Sequence, residues 1–293
     1  RQYERFIDKW PKSDRMPIVL YYKALLLEMY PNIRQFGQTE ILRFYSDYPY
    51  YENILIWQKL YDAFPSSREA LEARWRIAMH EAGRGKFEKA EELCDVAISL
   101  IASEVQNNES QPANSPSGLF SAFNQPAKTI MTASKLRDLS FRMKRLRLLI
   151  GRENQGTTPQ SKQRLAEFVM LNPYRLDYDG KLVSLLAATD ASDPLRDNVL
   201  LAQAIIVPDS SLKFQKFTEI TETFPSADAA VQALYEMGVI KISLWKNTQN
   251  QPDAKKAALS EARALLTRLT TNHPKTLWAE QANKLLNTLP ASE

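Results

Sequence analysis

The sequence predicts an all-α fold, an α-solenoid of stacked antiparallel helical hairpins, on three observations. Glycine is scarce: eight in 293 residues, about 3% against a usual value of roughly 7%. So little Gly leaves few tight strand turns or phosphate-cradling loops. An aromatic-Pro turn recurs, followed by small residues at helical spacing. After Pro225 come Ala230, Ala233, Tyr235 and Gly238, and after Pro65 come Ala70, Ala73, Trp75 and Ala78 at the same offsets. Met16, Val19, Tyr21 and Ala24 hold those offsets after Pro11, and Ala279 and Ala282 match in part after Pro274. Finally, apolar residues repeat at three- and four-residue intervals, which is the period of a helix with one buried face.

The first 65 residues read as short helices ended by Trp10-Pro11, Tyr30-Pro31, Tyr48-Pro49 and Phe64-Pro65. Proline lacks a backbone donor and disfavours helix in the residue before it. The β-branched and aromatic runs at 18–22 and 54–57 could suggest strands. Their alternation is poor, and Ala24, Leu25, Leu26, Glu28 and Met29 continue a helical run.

Residues 66–102 predict one complete hairpin. Ser66 or Ser67 caps a helix with Glu69 and Glu72 in its first turn, where negative charge suits the helix dipole. Gly83-Arg84-Gly85 makes the turn, and Phe87, Ala90, Leu93, Ala97 and Leu100 stripe the second helix. Residues 103–134 lose the period and become rich in Asn, Ser, Gln and Pro, which reads as a flexible polar loop or insert. A helix resumes at Ala133, with Leu136, Leu139, Met143, Leu146 and Ile150 on one face and Arg137, Arg142, Lys144, Arg145 and Arg147 on the other. Further helices are expected near 160–171, 178–188, 194–206 and 210–223, after a turn at 151–159. Residues 226–274 repeat the hairpin of 66–102 with a longer loop, and Pro274 starts a last helix. The organisation expected is therefore N-terminal helical repeats over 1–102, the insert over 103–134, and C-terminal helical repeats over 135–293.

Internal repeats of this length indicate helical hairpins stacked in a row, and their residues resemble the tetratricopeptide repeat (TPR). Gly85-Lys86-Phe87-Glu88-Lys89-Ala90 looks like that family's turn and second-helix start; Ala262 and Phe217 stand at family-like distances before Pro274 and Pro225. The Pro-x-Ser-x-x-Ala-x-x-Ala variant is most similar to bacterial envelope TPR proteins, such as the barrel-assembly lipoprotein and the Tol–Pal coordinator. The likeness is closest over 66–102 and 226–289, and the Trp-x-x-Leu-Gly-x-x-Tyr signature is not present in full. It implies a scaffold with a concave groove for a protein or peptide, and an extracytoplasmic setting, periplasmic or associated with the outer membrane, against a cytoplasmic alternative. Arg1 stands where an initiator Met would. The sequence thus reads as a processed chain or a piece of a longer one, with any signal or lipid anchor outside it.

The chemistry-bearing motifs point away from catalysis. No Gly-x-Gly-x-x-Gly, phosphate-binding loop, His-Glu-x-x-His or Gly-x-Ser-x-Gly occurs. One cysteine, Cys94, and two histidines, His80 and His273, provide neither a disulfide nor a metal-ligand cluster. A carboxylate pair needs no local motif, but pairs such as Glu91-Glu92 read as solvated helix face. The expectation is thus no enzyme, no cofactor, no small-molecule substrate and no membrane-spanning segment. The net charge of +4 does not call for nucleic acid.

Candidate partner-binding residues fall in two groups. Tyr45, Tyr50, Tyr51 and Trp57 are aromatic anchors if exposed, though aromatics between packed helices often belong to the core. Arg137, Arg142, Lys144, Arg145 and Arg147 form a basic helix face able to bind an acidic surface or nucleic acid, with a solvated face as the plainer reading. A third class is the non-catalytic superhelical part of a larger cell-wall enzyme.

Overall fold

A computed structural model describes residues 2–29, 51–109, 131–171, 173, 176–248 and 251–290. Among these the chain is all-helical, with no strand: α1 (Gln2–Lys9), α2 (Met16–Met29), α3 (Tyr51–Ala63), α4 (Arg68–Gly83), α5 (Phe87–Glu109), α6 (Ala133–Leu149), α7 (Arg152–Gln155), α8 (Pro159–Val169), α9 (Tyr178–Ala188), α10 (Arg196–Ile206), α11 (Ser210–Thr223), α12 (Asp228–Asn247), α13 (Pro252–Asn272) and α14 (Leu277–Leu286). The contacts group the chain into two compact units, Arg1–Tyr178 and Asp179–Glu293.

In the first unit each of α1 to α5 packs on the next helix in sequence, and α2, α4 and α6 also touch in turn. In the second unit α10 to α14 pack successively, and α10, α12 and α14 touch in turn.

The turn that starts these helices is the recurrent element. In Phe64–Ser67 the Phe64 N–H donates to the Leu60 carbonyl at 3.0 Å, and the Ser67 N–H donates to the Phe64 carbonyl at 3.0 Å. Phe224–Ala227 repeats this pair of bonds at 2.9 and 3.0 Å, and His273–Thr276 at 2.9 and 3.1 Å. Trp10–Ser13 repeats it at 2.9 and 3.1 Å. A partial fifth copy lies at Asp190–Asp193: the Asp193 N–H reaches the Asp190 carbonyl at 3.2 Å, while the helix before it closes with the Thr189 N–H on the Leu186 carbonyl at 3.2 Å. The sequence hid that copy because Asp190-Ala191 replaces the aromatic-Pro pair.

The capping side chain then selects one of two forms. Ser67 and Thr276 accept from the N–H three residues on, both at 3.2 Å, and the helix starts at once. Ser13 and Asp193 accept from the N–H two residues on, at 3.2 and 3.0 Å, which adds a turn before α2 and α10.

Eleven residues after the cap position stand Ala24, Ala78, Ala204 and Gly238. The three alanines are fully buried, and a Cβ on Gly238 would lie 2.7 Å from Leu266 Cδ2 on α13. These small residues let the next helix approach closely. In α14 the same position is the exposed Asn287.

The first hairpin closes as its glycines predict. Gly85 has φ of 72°, its N–H bonds the Ala82 carbonyl, and Lys86 N–H bonds the Glu81 carbonyl, both at 2.9 Å. This is the left-handed C-terminal lock that glycine permits.

Two expectations shift. The buried stripe of α5 is Phe87, Ala90, Cys94, Ala97 and Ile101 rather than one through Leu93 and Leu100; Leu100 is exposed. Small residues take the centre of the stripe because α5 packs against both α4 and α6. The second shift is one of length: α5 runs to Glu109, into the stretch expected as loop. Ser99 and Ser103 donate to the carbonyls four residues back, and Arg68 ties Glu104 to α4 at 2.8 Å. The rest of that loop, 110–130, lies outside the described residues. The face expected on α6 holds, with Leu136, Leu139, Met143, Leu146 and Ile150 all buried.

Candidate functional site

In the first unit, α2, α3, α4 and α6 converge on Glu72, which is only 3% exposed. Its placement follows from the turn at Ser67, which puts Glu72 and Arg76 on one face of α4, four residues apart. Arg76 pairs with Glu72 at 3.2 Å. Arg142 of α6 donates from Nη1 to Oε1 and from Nη2 to Oε2, both at 3.2 Å. That is the two-pronged geometry a planar guanidinium offers a carboxylate.

Trp75 lies between the two guanidiniums, with Arg76 Cζ 4.4 Å and Arg142 Cζ 4.3 Å from its ring. Such contacts attract a cation to the ring face. Trp57 of α3 packs edge-on to Tyr21 of α2 at 5.5 Å, with Arg76 over its ring at 5.6 Å. Burial, and then the Glu72 charge, push the Tyr21 hydroxyl up to about 12, against the pull of Arg76 and Arg142. It is therefore a neutral phenol throughout the physiological range.

Trp57 was a candidate anchor with the core as the plainer reading; it is fully buried, at 0% exposure, because its turn of α3 faces both α2 and α4, and it presents nothing to a partner. Tyr45 and Tyr50 lie outside the described residues; Tyr51 opens α3, and its side chain lies outside them too.

The basic face of α6 is largely engaged with the protein itself. Besides Glu72, Arg142 bonds Asp138 at 3.0 Å. Arg147 bonds Glu91 at 2.9 Å and Asp95 at 3.2 Å, both on α5. Arg137 and Arg145 are exposed and Lys144 is half-buried. Asp138 lies four residues away on the same helix, but the carboxylates of α4 and α5 lie 52 to 70 residues away in sequence, and no local pattern announces those.

The second unit carries a different polar cluster. Asp197, in the first turn of α10, is 4% exposed. The amide of Asn198 donates to Asp228 at 3.0 Å and to Asp197 at 3.5 Å. Burial foremost, and then the Asp228 charge, raise the Asp197 carboxyl to about 6, while backbone N–H groups, Ala229's among them, pull it back. That last bond has a local cause. Ala227 is the N-cap of α12 and has no side chain to cap with, so Asp197 of α10 serves one of the helix's unpaired N–H groups in its place.

The linkage has a definite sign. An acid whose folded pKa is raised stabilises the fold below its unfolded pKa, and that contribution is lost as pH rises through the folded value. Between about pH 4 and 7 the ionising Asp197 therefore costs stability. An asparagine keeps the acceptor and removes the charge. Asp197→Asn should be more stable than the parent by about 2–3 kcal/mol at pH 7, with the gap closing near pH 4. Denaturant melts at several pH values check this, and a gap independent of pH would count against it.

The nucleophiles are muted. Burial pushes the Cys94 thiol up to about 12, so it holds almost no thiolate at neutral pH. Burial also lowers the His80 pKa, leaving a neutral imidazole. Among the described residues no group of three or more His, Cys, Asp or Glu could hold a metal ion, and no helix is long and apolar enough to cross a membrane.

Comparison with protein-family models, with curated proteins and with solved structures returned no match to this chain.

Of the residues around Glu72, sequence singled out Trp57 and Arg142, each for a different surface, but not their meeting with Glu72, Trp75 and Arg76. A comparison of equivalent turns would have marked them. Where α4 has Glu72 and Arg74, α12 has Gln232 and Leu234.

Proposed function

We propose that the helices of each unit form a TPR-like array and that the chain is a non-catalytic scaffold. The faces of its first helices, α2, α4 and α6 in one unit and α10, α12 and α14 in the other, receive a protein or peptide. On the envelope variant of the repeat, that partner belongs to a bacterial envelope assembly outside the cytoplasm.

The observation that supports this reading is the recurring turn, with its repeated backbone bonds and the buried small residue eleven positions after four of the caps. An array built this way keeps its first helices adjacent and presents their outer residues side by side. The α6 cations support a direct acidic-surface or nucleic-acid reading less well, because Arg142 and Arg147 are committed to Glu72, Glu91 and Asp95.

The test is site-specific photo-crosslinking in the source cells. Probes go at Tyr22, Met79 and Val239 on first helices and at Lys89, Val96 and Leu100 on α5. Crosslinks to one protein from the first-helix probes alone support the scaffold. Crosslinks from α5 alone, or from none of the six, contradict it.

A further inference from the structure

Arg74 is the one arginine of α4 whose charge the fold leaves without a carboxylate among the described residues. It is 8% exposed. Its Nε and Nη1 are buried with no hydrogen-bond partner, and Nη2 makes one long bond, 3.5 Å, to the Pro65 carbonyl. The Tyr61 ring lies 5.1 Å from its Cζ, which stabilises the cation but satisfies none of its in-plane N–H donors.

Position matters as much as burial. Seven residues after the cap of each recurring turn, the other buried helix starts carry leucine: Leu20, Leu200 and Leu234. Leu20 and Leu234 are 1% and 4% exposed. The packing at this position therefore needs only an aliphatic side chain. A buried guanidinium with unmet donors destabilises a fold, and an apolar replacement is already present in its sister turns. The contrast inside the unit is direct, since Arg76, Arg142 and Arg147 all meet carboxylates.

We infer that Arg74 is the receptor for an oxyanion, a carboxylate or phosphate group, bound at the α3–α4 turn. The Nε edge of a guanidinium presents two parallel donors that match two oxygens of such a group; in Arg74 these are Nε–H and an N–H of Nη2, whose one other bond is the long one to Pro65. Nε and Nη1 are themselves closed to solvent; the turn beside them is at the surface, with Pro65 exposed and Tyr61 half-buried. This inference does not depend on the scaffold reading.

The test is an NMR titration of the full chain, following the arginine Nε–Hε signals. Arg74 is assigned by the signal lost in Arg74→Lys. Inorganic phosphate and acetate are compared with chloride at equal ionic strength, with thermal melts in parallel. The expected result is a saturable shift of the Arg74 signal with phosphate, acetate or both, and none with chloride. The phosphate and acetate arms separate the two sources of the oxyanion. The Tm should rise by roughly 2–4 °C at saturating anion. Arg74→Leu, which installs the residue of the sister turns, should fold and lose the Tm response.

Two results overturn the inference. In one, no saturable shift occurs and Arg74→Leu is more stable, so the charge is merely tolerated. In the other, no shift occurs and Arg74→Leu is less stable, so the chain supplies the acceptor itself.

Discussion

Replacing Trp57 with alanine should lower the stability of the first unit by about 3–5 kcal/mol, the usual cost of removing a fully buried tryptophan. The side chain has no exposed surface, so truncation leaves a cavity between α2, α3 and α4. It also removes the edge that Tyr21 packs against and the ring beneath Arg76. Denaturant unfolding followed by circular dichroism measures the loss. A change within about 0.5 kcal/mol, the range of an ordinary surface substitution, would mean that Trp57 is exposed after all and available to a partner.

Glu72→Ala should cost a comparable amount, about 3 kcal/mol, for an electrostatic reason. It removes the carboxylate that Arg76 and Arg142 share, itself 3% exposed, and leaves Arg142 only the exposed Asp138, and breaking a buried pair from one side is expensive because the remaining charge stays desolvated. Arg76 is the more confined of the two, its side chain 13% exposed against 31% for Arg142. Arg142→Met should therefore be milder, since Glu72 keeps Arg76 and Arg142 sits nearer the surface. The double variant should be less destabilised than the sum of the two, by about 0.5–3 kcal/mol. Additive losses would show that the α4–α6 ion pair is not formed.

The two variants also separate what the sequence could and could not convey. Helices were legible wherever the determinants are local. The Leu136-to-Ile150 stripe, the glycine turn after α4 and the proline boundaries at Pro11, Pro65, Pro225 and Pro274 all depend on neighbours within a few residues, and they fall close to where spacing placed them. Trp57 stayed open between anchor and core because exposure depends on which helices lie opposite, and an aromatic-rich run looks the same on a surface or in a core. The α6 cations were misleading in a related way. A row of Arg and Lys is visible along one helix, but the carboxylates that neutralise two of them come from α4 and α5.

Asp197 shows the limit from another side. Its burial and its capping of α12 follow from the missing cap side chain at Ala227, a defect in one turn corrected by a residue thirty positions earlier. The Asp190–Asp193 turn escaped notice because the same backbone path was encoded by different residues. Aromatic-Pro opens the turn in the other copies, and here Asp190 opens it, its carboxylate accepting from the Ser192 N–H at 2.8 Å.

That equivalence is the centre of the account, and a transplant tests it most directly. Residues 190–193 are replaced by Phe-Pro-Ser-Ser, the sequence of 64–67, in the full chain, and unfolding of the second unit is measured against the parent. If the two stretches are one structural unit, the variant should unfold cooperatively with stability within about 1–2 kcal/mol of the parent, the range expected for exchanging one capped turn for another. Loss of cooperative unfolding, or of most of the stability, would show that the Asp190 turn is a different structure and that the repeat does not extend through α10.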